Sequence, residues 1–143
     1  MNRKKWWSDV LAKYNRIAVV GGPRAGKTTM TRALDHRHVI RTDDYKHRSW
    51  EAAPLAALAD IADLGKDARF VVEGTRAVSV LRRGLKVDAV VVCMEPLQEL
   101  TPRQEGMRKA VITKLAQWYA DHKDVPMLQA PPVTDLDKNE TEE

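Results

Sequence analysis

The segment Arg16-Ile17-Ala18-Val19-Val20-Gly21-Gly22-Pro23-Arg24-Ala25-Gly26-Lys27-Thr28-Thr29 decides the fold. Its opening, Arg16 to Val20, reads as a buried strand, and Lys27 to Asp35 can continue as a helix. Between them, Gly21 to Thr28 fits the pattern GxxxxGK[ST] in the strand, loop, helix context that gives the pattern its meaning. Gly21, Gly22 and Gly26 permit the turns that aim successive N–H groups at phosphate oxygens. Pro23, Arg24 and Ala25 complete the loop, and the following helix adds its positive end. Lys27 is expected to neutralise β and γ phosphates, Thr28 to coordinate magnesium through its hydroxyl, and Thr29 to line the same turn. The plain alternative, a glycine turn with an incidental lysine, is disfavoured by the flanking elements.

Working outward, Lys5 to Tyr14 can form a short amphipathic helix with Trp6, Val10, Leu11 and Tyr14 on one side. Beyond the loop and its helix, a second strand is expected at His38–Arg41, ending in Thr42-Asp43-Asp44-Tyr45-Lys46. An alanine-rich helix with Leu55, Leu58 and Ala62 on one face should then run to a stop at Gly65. Arg69 to Val72 reads as a third strand that delivers Glu73-Gly74-Thr75-Arg76 at its carboxyl end, followed by a helix closing at Gly84, and Val87 to Met94 reads as a fourth. Thr101-Pro102-Arg103-Gln104 is a helix start, with an N-cap threonine, a first-turn proline and a glutamine that completes a capping box. That helix should bury Met107, Val111, Leu115 and Trp118, and Val125 to Leu128 can form a fifth strand. Strands alternating with helices imply an α/β fold: a three-layer sandwich with a parallel sheet of four to five strands and helices on both faces.

The 143 residues fit a single domain over 1–133, with the helix of 1–15 packed on it and an acidic, disordered tail over 134–143. The tail carries Asp135, Asp137, Glu140, Glu142 and Glu143 against Lys138, a net of −4. With a formal total of +4, the residues before it therefore sum to +8, a basic body suited to a polyanionic partner. No apolar run is long enough for a membrane, and no signal-type stretch follows the charged start, so a soluble, cytoplasmic protein is expected. Cys93, the single cysteine, excludes an internal disulfide and reads as a buried structural thiol.

Many enzyme classes share a phosphate cradle, so the function must come from its surroundings. No guanine-reading NKxD segment is present, and the chain is too short for the helical lid domain of an oligomeric motor. A kinase fits best, because it needs a carboxylate beside the acceptor hydroxyl and cations around the phosphoryl group. Asp43 and Asp44 lie after the second strand, at the edge where parallel sheets bind ligands. One of them can accept the acceptor's proton, and the other reading is that they cap the next helix.

At these residues the sequence resembles the small P-loop kinases. Asp43-Asp44-Tyr45-Lys46 is similar to the Asp-Asp-Tyr-Arg segment of the phage polynucleotide kinases. That resemblance implies that Asp43 is the general base, that Asp44 lies in the acceptor site, and that Lys46 stands where the family's arginine holds an acceptor phosphate. Lysine lacks the bidentate fork of that arginine. Glu73 occupies the place of the usual acidic residue that orders magnesium, directly or through water. Glu73-Gly74-Thr75-Arg76 is similar to an acidic-Gly-x-x-Arg acceptor motif with one residue fewer, which makes Arg76 an acceptor-site cation. Arg103 and Arg108 fall where small kinases carry a lid whose arginines stabilise the transition state, here reduced to a few residues before a helix.

Trp6, Trp7 and Trp50 among Arg3, Lys4, Lys5, His47 and Arg48 combine aromatic and basic character suited to stacking bases, with Trp50 placed to wall the acceptor pocket. The expectation is an ATP- and magnesium-dependent kinase acting on a hydroxyl of nucleic acid, preferably DNA. Its small size resembles that of phage hydroxymethyl-pyrimidine DNA kinases, which points first to a hydroxymethyl pyrimidine base such as hydroxymethyluracil and next to a strand's terminal hydroxyl. A kinase for a nucleoside or small metabolite, and a nucleotide-driven switch with no phosphorylated product, stay open.

Overall fold

The computed structural model describes residues 3–22, 38–45, 48–49, 51–96 and 98–131. Five parallel strands, β1 (Arg16–Gly21), β2 (His38–Arg41), β3 (Phe70–Gly74), β4 (Ala89–Cys93) and β5 (Met127–Gln129), stand in the order β2-β3-β1-β4-β5. The described helices are α1 (Arg3–Lys13), α2 (Ala52–Asp63), α3 (Ala77–Arg82) and α4 (Pro102–Ala120), with a 3-10 turn over Thr42–Tyr45. The helix expected at Lys27 to Asp35 and the tail from Thr134 lie outside the described residues.

Strand order dictates where the helices go. The connections from β2 to β3, β3 to β4 and β4 to β5 all step the same way across the sheet, so right-handed crossovers bring α2, α3 and α4 to one face. One apolar cluster accordingly joins Ala57 of α2, Leu81 of α3 and Val111 of α4 to Ala18, Val20 and Val72 of the sheet. Ile17, Val19, Val71 and Val91 point the other way and pack against Trp7 and Val10 of α1. Because side chains alternate along a strand, β1 feeds both clusters and must be apolar throughout. A one-residue slip of β1 would exchange the faces of its side chains, so register is strongly specified.

Three apolar stripes differ from the sequence expectation. In α1 the buried positions are Arg3, Trp7 and Val10, while Trp6 is only half-buried. Trp7 is therefore a core anchor, unable to stack on a base as the sequence pattern suggested. Arg3 is equally removed from a ligand role, because its Nε donates to the Pro131 carbonyl at 3.0 Å. In α2 the buried face is Ala53, Pro54, Ala57 and Ile61, whereas Leu55 is 52% exposed and Ala62 is exposed. Small residues let this helix lie close to the sheet, so alanine forms the contact face and Leu55 falls outside it. In α4 the buried stripe is Val111, Leu115 and Trp118, and Met107 lies exposed one turn ahead of it.

Other expectations match the structure. The capping box is complete: Gln104 N donates to Thr101 Oγ1 at 3.2 Å and Thr101 N donates to Gln104 Oε1 at 3.0 Å. Cys93 is buried and forms no disulfide. Among the described residues no helix is long and apolar enough to cross a membrane.

Candidate functional site

Strands β3 and β1 are neighbours whose outgoing connections leave in opposite directions, toward β4 and β2 respectively. That reversal opens a crevice at their carboxyl ends, the usual ligand site of an open parallel sheet. Gly21 and Gly22 lie at the end of β1 and are buried. Glu73 and Gly74 are the last residues of β3, paired in register with Val19 and Val20.

The start of the glycine-rich loop is roofed by α4. A side chain on Gly22 would meet Arg108 Cγ at 3.1 Å and Cβ at 3.2 Å, so glycine is what lets the arginine stem lie across this backbone. The guanidinium is held on both sides: Nε donates to the Met94 carbonyl at 3.1 Å, and Nη1 contacts Glu105 Oε1 at 3.3 Å. Arg108 thus joins β1, the end of β4 and the first turns of α4. Arg103, the other expected lid cation, is exposed and has no hydrogen bond or ion pair among the described residues. The structure therefore brings one of the two arginines to the loop and leaves the other in solvent.

On the far side, β2 and β3 are locked together at their ends. Arg41 and Glu73 are register partners, and Arg41 Nε lies 3.5 Å from Glu73 Oε1. Glu73 is only 3% exposed, and this cation offsets part of the cost of burying its charge. Next to it, Gly74 has φ +136°, and a Cβ there would fall 1.8 Å from Thr42 Oγ1. The need for glycine at 74 is set by this close approach and by the left-handed backbone. Neither Arg41 nor Thr42 stands out in the sequence, where their one signal is a cation ending the second strand opposite an acid ending the third.

Thr42 opens the 3-10 turn that carries Asp43 and Asp44, both exposed. Neither aspartate caps α2: the N-cap position is Glu51, without a side-chain bond, and the Ala52 N–H is taken by Ser49 Oγ at 3.1 Å. The turn is tied to α2 through Tyr45, whose hydroxyl donates to Asp60. Burial and that bond push the Tyr45 pKa up to about 12. The turn is thereby tied to α2 while its carboxylates stay open to solvent.

Arg76 is half-buried at the N-cap position of α3, where its carbonyl accepts from Ser79 N at 3.0 Å and Val80 N at 3.3 Å. Pro23, Arg24, Ala25, Gly26, Lys27, Thr28, Thr29, Lys46 and Trp50 lie outside the described residues. The described part of the site is a buried glycine backbone at the switch point, the aliphatic stem of Arg108 against it and a buried acid on the neighbouring strand. No protein-family model and no curated protein matches the chain.

Proposed function

We propose that this chain is a P-loop kinase that uses ATP and magnesium to phosphorylate a hydroxyl on nucleic acid, first a hydroxymethyl pyrimidine base in DNA and next a strand's terminal hydroxyl. The reading is carried by one observation: GxxxxGK[ST] begins at the carboxyl end of β1, at the switch point, with Asp43 and Asp44 exposed on a turn at the same edge.

In this reading Lys27 and the loop backbone hold the donor phosphates, and Thr28 and Glu73 serve the metal. Magnesium supplies charge neutralisation at the phosphates. Asp43 accepts the acceptor's proton on a carboxylate oxygen as the acceptor oxygen bonds to the γ phosphorus. The bond from that phosphorus to the bridging oxygen breaks, and ADP leaves with the electron pair. Arg108, held by the Met94 carbonyl and Glu105, keeps a fixed cation beside the loop.

The test is to incubate the protein with ATP labelled at the γ phosphate and, in parallel, hydroxymethylated duplex DNA, oligonucleotides with free 5′ hydroxyls, free nucleosides, or no acceptor. Label on DNA is the expected result. Label on nucleosides alone would replace the acceptor, and phosphate release without a labelled acceptor would replace the kinase reading with an ATPase.

A further inference from the structure

Away from the phosphate loop, on the face built by α2, α3 and α4, a groove of about 470 Å³ is lined by Glu51, Pro54, Ser79, Arg82, Arg83 and Lys114. Three cations from two helices converge there against one carboxylate. Arg82 and Arg83 close α3, where cations are favoured by the helix dipole. The dipole does not explain why Lys114, in the middle of α4, faces the same hollow. None of the three has an ion pair among the described residues, and Glu51 is the one acid lining the groove with them, so the lining keeps an excess of positive charge. A concave wall of one sign focuses its field and concentrates anions. Pro54 is the lone apolar member, so the groove offers no pocket for the hydrophobic anchors of a helical peptide.

We infer that this groove is a phosphate-tracking site for a nucleic-acid strand, separate from the nucleotide cradle. Arg82 and Arg83 would bind backbone phosphates through their planar forks, Lys114 as a point charge and Ser79 through its hydroxyl. The groove opens beside the first turn of α2, the element that follows the turn bearing Asp43 and Asp44 in chain order. A strand presenting a hydroxyl to that segment would thus have its flanking phosphates held on the helical face. The inference rests on the reading that the acceptor is nucleic acid, and extends it by naming where the rest of the polymer lies.

The experiment measures binding of a fluorescent single-stranded oligonucleotide by anisotropy over a range of salt concentrations. It compares the unmodified protein, Arg82→Gln/Arg83→Gln/Lys114→Gln, and a charge-matched control, Lys13→Gln/Lys66→Gln/Lys123→Gln. Arg83→Gln/Lys114→Gln serves as a milder second variant. The groove triple should weaken binding about tenfold and make the plot of log affinity against log salt shallower by about 2, with the control close to unmodified and ATP binding unchanged in all. Equal losses in both triples would overturn the groove in favour of net charge. Unchanged oligonucleotide binding with lost binding of polyglutamate would overturn it in favour of an acidic protein. If the groove variants bind and phosphorylate DNA normally, the inference fails alone; if the unmodified protein binds no oligonucleotide, the nucleic-acid acceptor fails with it.

Discussion

The hydroxyl of Thr42 occupies the space where a side chain on Gly74 would begin, 1.8 Å from the position of its Cβ. The ends of β2 and β3 are therefore fitted to each other at the site's edge. Thr42 Oγ1 is buried and has no hydrogen-bond partner among the described residues, so the contact is steric and not a bond.

Gly74→Ala should consequently be among the more damaging single substitutions in the chain. It combines a left-handed φ with a collision against a buried residue, together about 2–4 kcal/mol. Urea unfolding measures this cost, and a loss below about 1 kcal/mol would mean that Thr42 moves aside freely.

Gly22 and Arg108 should be energetically coupled. Gly22→Ala forces the arginine stem to shift by a few tenths of an ångström, an overpacking cost of about 1–3 kcal/mol. In an Arg108→Ala background that cost should shrink, giving a coupling of at least about 0.5 kcal/mol in a double-mutant cycle. Strict additivity would show that the two do not touch in solution.

Tyr45 gives the protein an alkaline limit. Its folded-state pKa of about 12 exceeds the ordinary value of 10.0, so the protonated phenol is favoured in the folded chain. Its contribution is fully present below pH 10 and is lost as pH rises toward 12. Thermal unfolding across that window should fall more steeply in the native protein than in Tyr45→Phe, and parallel curves would remove Tyr45 as the cause.

Asp43→Asn should reduce phosphate transfer by about 10²–10⁴-fold while leaving ATP binding intact, because it removes a proton acceptor and no donor contact. Asp44→Asn should cost less. Single-turnover transfer measures both, and the reverse order would make Asp44 the base.

Thr101→Ala should cost about 1 kcal/mol, since it deletes the side chain that satisfies the Gln104 N–H at the start of α4. The same helix carries Arg108, so the loss should also appear as faster amide exchange around residues 102–108.

What could be read from sequence followed the range of the interactions. The capping box spans Thr101 to Gln104 and could be read outright. The apolar run of β1 likewise announced a doubly covered strand. The face of α2 is legible only in part: Leu58 packs against the core as its spacing implies, but hydrophobicity also favours Leu55, which is exposed, while close packing selects Ala53 and Ala57. Likewise, adjacent Trp6 and Trp7 differ by one helical step, and only the docking angle of α1 decides which is buried. The Arg41–Glu73 pair depends on the register of two strands separated by a helix, and Arg108's approach to Gly22 depends on a helix crossing the sheet. Such contacts between distant segments leave no local periodicity to read.

The bond from Arg3 to the Pro131 carbonyl joins residues 128 positions apart, and Trp7 and Ala130 share the apolar cluster beside it. Synthesis of α1 therefore runs far ahead of Ala130 and Pro131, and Trp7, already able to meet Ile17, Val71 and Val91 of the sheet, gains its remaining neighbour only when that distant segment arrives.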